Sequence, residues 1–207
     1  MPPMAEAAQQ KAEEIMSLDE TKLIGILGDP RATEFAKAKA CQRLAVIGTK
    51  EAVPALAQML ADPKFAHYAR FGLEPIPDAS VDDALRLALG WLSGKARVGV
   101  INSIGQRRDA KAVETLARHL DDPDAAIAAA AAAALGRISG PKAAKELQKV
   151  LDYTRSVTGA CLECCDGLLA QGRKEEAREL YDALLRRSDL PAAVRQAAER
   201  GREASSR

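Results

Sequence analysis

The chain has 207 residues, of which 47% are apolar and 3% aromatic, and its 30 Lys and Arg against 29 Asp and Glu leave a net charge of +1. That length is enough for one or two domains with a substantial core and excludes a wholly disordered chain. Near-neutral charge argues against a protein that coats nucleic acid or an acidic membrane, since such binding rests on many phosphate contacts. No run reaches the roughly 18 uncharged apolar residues of a membrane span.

One Trp, three Tyr and three Phe leave the core to aliphatic side chains. Ala and Leu, the strongest helix formers, dominate, so the expected class is all-α. Alternating β-branched runs bounded by hairpin turns are absent from the sequence. In chain order, 3.6-residue periodicity predicts a lead-in helix near 4–16, then helices near 18–27, 31–47, 50–60, 64–74, 79–92 and 95–104. Further helices are expected near 109–120, 124–138, 141–151, 154–171, 174–187 and 191–203. The N-terminus has no basic segment followed by an apolar run, so no signal peptide is read there. The compartment stays unassigned: cytoplasmic by default, exported if a signal was trimmed.

A repeat underlies these helices. Leu-x-Asp-Pro occurs at Leu27 to Pro30, Leu60 to Pro63 and Leu120 to Pro123, and another Leu-Asp stands at Leu151-Asp152. The Asp positions are separated by 33, 60 and 30 residues, which is one, two and one periods of about 30. Within the unit, Cys41 to Gly48 aligns with Val98 to Gly105, Ala132 to Ser139 and Cys165 to Gly172. Each block ends one helix and a second helix follows, so the unit is a helical hairpin. Gly48, Gly105 and Gly172 suit the left-handed residue that closes a helix. The Asp of Asp62-Pro63 and Asp122-Pro123 suits an N-cap with Pro in the first turn. Ser17 to Glu20 and Ser80 to Asp83 read as capping boxes. The run Ala128 to Ala134 predicts a close helix contact.

The period, the Asp-Pro boundary and copies such as Ala131-Ala132-Ala133-Ala134-Leu135-Gly136-Arg137-Ile138 followed by Ala143-Ala144 and Leu147 resemble HEAT repeats, in particular the short HEAT-like repeats of phycobilisome lyases. The Pro75-Ile76-Pro77 corner and the segment Gly99 to Asp109 are similar to HEAT arrays of planctomycete and verrucomicrobial multidomain proteins. Gly167 to Tyr181 looks more like a tetratricopeptide hairpin. The resemblance implies a right-handed α-solenoid of stacked antiparallel helix pairs, a single domain over 1–207 with a lead-in helix at 4–17, HEAT-like repeats over 18–154 and less typical helices over 155–203.

Cys161, Cys164 and Cys165 share one helix face and invite a zinc reading, but no flanking Cys pair or His supplies a fourth ligand. Cys165 falls at the same repeat position as Cys41, Val98 and Ala132, a small apolar core site, which points to core packing, so no metal and no cofactor is expected. His67, Tyr68, Arg70 and Trp91 are pocket candidates. The competing reading has Tyr68 and Phe71 packing and Arg70 pairing with Glu74 at i,i+4. His119, beside Arg118 at a helix end, complements the helix dipole. Lys95, Arg97, Arg107, Arg108 and Lys111 form a basic cluster, read as a solvated face or an interaction strip. No catalytic motif stands out. HEAT arrays in general bind partners, and an aromatic-poor composition disfavours a ligand pocket. The expected function is thus a non-enzymatic scaffold for a partner protein or for neighbouring domains of a longer chain. The alternative is a HEAT-fold enzyme or nucleic-acid-binding protein, lyase-like or glycosylase-like, with a concave basic surface.

Overall fold

A computed structural model of the protein describes residues 4–152 and 157–205. Among them are thirteen α-helices: α1 (Met4–Met16), α2 (Glu20–Gly28), α3 (Glu34–Ile47), α4 (Val53–Gln58), α5 (Ala66–Leu73), α6 (Ala79–Leu89), α7 (Gly94–Gln106), α8 (Val113–Ala117), α9 (Ala125–Ile138), α10 (Pro141–Leu151), α11 (Thr158–Ala170), α12 (Lys174–Leu185) and α13 (Ala192–Ser205). Short 3-10 turns extend α4 at both ends and α8 at its start. Every helix expected from periodicity is present, although the predicted start of the eleventh, at 154, lies outside the described residues.

The chain divides into two compact units, Met1–Val100 and Ile101–Arg207. In the first, α3 packs against α1 and α5 in one layer, and α4 packs against α2 and α6 in the other. In the second, α11 lies between α9 and α13, and α10 lies between α8 and α12. Consecutive helices thus alternate between layers within each unit, the arrangement of helical repeats. The fully buried large side chains are almost all aliphatic, among them Leu23, Leu44, Leu56, Leu60, Leu73, Leu85, Ile101 and Leu116. Burying each contributes on the order of 1.5–3 kcal/mol.

The repeat period reappears as contact. Thr49 donates its backbone N–H (2.6 Å) and hydroxyl (3.0 Å) to the Glu20 carboxylate, 29 residues away, and Lys64 pairs with Glu34, 30 residues away. Residues one period apart occupy the same place on neighbouring hairpins, so they meet.

The expected roles of several turn residues are corrected. Gly48 closes α3 with φ −64°, not in the left-handed region, and Gly105 lies inside α7. Of the three predicted glycine caps only Gly172 has positive φ, at 74°. Where α7 ends, Arg108 takes the left-handed conformation (φ 54°), and Ser139 does so after α9 (φ 59°). Gly48 and Gly105 are instead required by packing. A β-carbon on Gly48 would collide with the Leu44 carbonyl, and one on Gly105 would sit 2.7 Å from Ala134 Cα.

The Asp-Pro boundaries are turns and not caps. The Oδ1 atoms of Asp29, Asp62 and Asp122 accept the N–H two residues on, from Arg31 (2.8 Å), Lys64 (2.9 Å) and Asp124 (3.0 Å), and the next helix starts a few residues later. Its caps are Thr33 for α3 and Asp124 for α9. The Ser capping boxes give way likewise to Asp19 at α2 and Asp78 at α6, because a carboxylate near the first N–H groups has the stronger interaction with them.

Candidate functional site

Within the first unit, the end of α4's 3-10 extension, the Asp62-Pro63 turn, α5, the loop Trp91 to Ser93 and the first turn of α7 enclose a cleft of about 620 Å³. Small residues shape it: Ala61, Pro63, Ala66 and Ala96, with Leu92 beneath. His67 and Arg70, three apart on α5, point along one helix face, and Lys95 and Trp91 stand opposite. None of the ten lining residues is acidic. The N-terminus of α7, with Lys95 and Ala96 in its first turn, adds the positive end of a helix dipole.

The loop that carries Trp91 is anchored at several points. Trp91 and Leu92 donate their N–H groups to the Ala88 carbonyl at 3.2 and 3.0 Å. The Leu92 carbonyl in turn accepts from Arg97 Nε at 2.6 Å. Gly94 follows with φ 49°, a conformation that favours glycine. Leu92 is buried while Trp91 keeps 54% of its surface exposed, so an indole face is available at the rim.

Arg70 is held as well as placed. Its Nη1 is 3.9 Å from Glu74 Oε1. The guanidinium crosses Gly99 of α7 so closely that a β-carbon there would lie 2.7 Å from Arg70 Nε. The predicted i,i+4 pair therefore exists, and it orients Arg70 beside the cleft. Tyr68, a pocket candidate from sequence, is not among the lining residues. It is half-buried and meets the His67 ring edge-on at 5.8 Å between centroids. Phe71, expected to pack, is half-exposed.

The basic cluster is distributed along the chain. Lys95 lines the cleft and Arg97 braces its loop, both in the first unit. Arg107, Arg108 and Lys111 belong to the second unit, after α7 ends and in the 3-10 turn before α8. There the Asp109 carboxylate accepts the Lys111 N–H at 3.0 Å. His119 is placed by a contact within its own turn: Nδ1 lies 3.2 Å from Asp122 Oδ2.

Cys41, Cys161, Cys164 and Cys165 are all free and fully buried. Burial pushes the thiols of Cys41, Cys161 and Cys164 up to about 12, and Cys165 higher still. The thiolate needed for metal ligation or nucleophilic attack is strongly disfavoured there. Among the described residues no group of three His, Cys, Asp or Glu side chains could hold a metal ion, and no helix is long and apolar enough to cross a membrane. Sequence reasoning missed Ser93 and Gly99. Gly99 had a signal, since it lies one period of 29 residues beyond Arg70.

Helix pairs in two alternating layers, joined by Asp-Pro turns at a period near 30, define a helical-repeat protein of the all-α class. Residues 83–164 carry HEAT repeats: the family model described as HEAT repeats matches there. No curated protein matches the sequence. Among solved structures, human deoxyhypusine hydroxylase in complex with glycerol is similar, with 20% identity over 96% of this chain and 80% of that one, at a TM-score of 0.44.

That comparison corrects the expectation of a non-enzymatic scaffold, and with it the expectation that the chain is not an enzyme. The similar structure is that of a hydroxylase; fold by itself does not select binding over catalysis. At this identity and TM-score the likeness assigns no reaction or ligand to this chain. The composition argument against a pocket also gives way, since a single Trp at the rim and small residues below suffice to line a cleft.

Proposed function

We propose that the first unit binds a small organic anion in the cleft between α5 and α7, and that His67 exchanges a proton with it, as in a HEAT-fold enzyme. The observation that carries this reading is the lining itself: Arg70, Lys95 and His67 converge without an acidic residue among them. An imidazole can both give and accept a proton at its two ring nitrogens. The volume falls within the range of small-molecule sites, in which apolar walls hold the body of a ligand and a few polar groups orient it.

Trp91 is the sole tryptophan and borders the cleft, which makes it a local reporter. Titration with anilinonaphthalenesulfonate should give saturable energy transfer from Trp91. Substituting Arg70→Gln together with Lys95→Gln should abolish it, and His67→Gln should leave it in place while removing acid–base chemistry on a bound substrate. Transfer that survives the double substitution would place the anion elsewhere and end this reading.

A further inference from the structure

The charge and shape of the cleft narrow the anion. Its fixed cations are Arg70 and Lys95, and Glu74, 3.9 Å from Arg70 Nη1, offsets one of them. The Glu74 carboxylate beside Arg70 lowers the positive charge presented to a ligand and so favours a monoanion over a dianion. A phosphate ester at neutral pH carries close to two negative charges and would meet the Glu74 carboxylate across Arg70. The guanidinium is pinned between Glu74 and the bare backbone of Gly99, and a planar fork held in that way matches a carboxylate with two parallel hydrogen bonds. Trp91, with its indole exposed at the rim, offers a flat face on which a ring can stack.

We infer that the cleft takes a planar aromatic monocarboxylate, whose carboxylate is read by Arg70 and whose ring lies against Trp91, with Gly99 as the residue that positions Arg70. This rests on the proposed anion cleft. Gly99 acts through Arg70: any larger residue there must push the guanidinium away, because the β-carbon would contact Nε at 2.7 Å and Cζ at 3.0 Å.

The test uses the full chain, calorimetry and Trp91 fluorescence with three probes of one ring system: 2-naphthoate, 2-naphthyl phosphate and 2-naphthol. The expected order has 2-naphthoate at least fivefold tighter than either other probe, with saturable quenching of Trp91. Arg70→Lys should weaken 2-naphthoate about tenfold, by removing the fork while keeping the charge, and should leave 2-naphthol unchanged. Gly99→Ala should show the same selective loss, and Lys95→Gln, at an exposed position, supplies a variant that does not depend on packing around Arg70. Equal or tighter binding of 2-naphthyl phosphate, or undiminished 2-naphthoate binding in Arg70→Lys, overturns the carboxylate assignment and leaves the anion cleft standing. Gly99→Ala binding 2-naphthoate as the parent does overturns the positioning role. Failure of all three probes to bind overturns the cleft reading and this inference together.

Discussion

Gly105 on α7 and Ala134 on α9 stand 29 residues apart, and a β-carbon added to Gly105 would lie 2.7 Å from Ala134 Cα and 2.9 Å from its Cβ. Backbone, which cannot swing aside, is the obstacle. Gly136 repeats the relation one hairpin later, where an added β-carbon would sit 2.7 Å from the Ala160 carbonyl oxygen. Gly105→Ala and Gly136→Ala should therefore each destabilise the protein by about 1–3 kcal/mol through overpacking. Urea unfolding followed by circular dichroism measures this, and an unchanged midpoint in both variants would contradict the packing.

Gly25 gives the opposite expectation. It lies on the exposed face of α2, and an added β-carbon would meet nothing within 4 Å. Gly25→Ala should raise stability by about 0.5–1 kcal/mol, because alanine reduces the freedom of the unfolded chain without strain in the helix. A lower melting temperature for this variant would count against the helix as described.

The buried thiols make stability fall in alkali. In the unfolded chain a thiol titrates near 9, and in the folded chain burial holds Cys41, Cys161 and Cys164 protonated up to about 12. Between those values the unfolded state has released protons that the folded state retains, so rising pH favours unfolding. Each such thiol should remove about 1.4 kcal/mol per pH unit between pH 9 and 12, with full stability kept below 9. Denaturant unfolding at pH 8 and pH 10 tests the sign. Cys161→Ala should make the pH dependence shallower, apart from the cavity cost it adds.

Asp124 caps α9 by accepting the Ala126 N–H at 2.9 Å, while Asp122 closes the preceding turn by accepting the Asp124 N–H at 3.0 Å and also meets His119 Nδ1 at 3.2 Å. Asp124→Ala should cost about 1 kcal/mol, as other N-cap losses do. Asp122→Ala should cost more, because the turn and the His119 contact are lost together. Thermal melts of the two single variants would show the order, and a reversed order would refute the division of roles.

The helices and their boundaries were legible because both signals are local: apolar residues recur every 3.6 positions, and Asp-Pro interrupts them at Asp29, Asp62 and Asp122, one and then two periods of about 30 apart. What a turn residue does was less legible. Gly48 and Gly105 carry the composition of a left-handed cap, yet their need for glycine comes from Leu44 and Ile76 in one case and Ala134 in the other. Asp62 has the composition of an N-cap, and the backbone turns back onto it before the helix begins. The candidates His67, Arg70, Trp91 and Lys95 were picked out from two separate motifs, a pocket set and a basic cluster. Only the packing of α5 beside the start of α7 makes them one cleft.

From the sequence alone came the all-α class, the period near 30 and the aliphatic core, since these follow from propensity and periodicity carried by each stretch of chain. Tertiary structure decided which residues share a surface: it set Gly99 under Arg70, excluded Tyr68 from the cleft and buried all four cysteines. Such relations depend on how closely two helices approach, fixed to within a few tenths of an ångström by side chains on both, and no single segment encodes it.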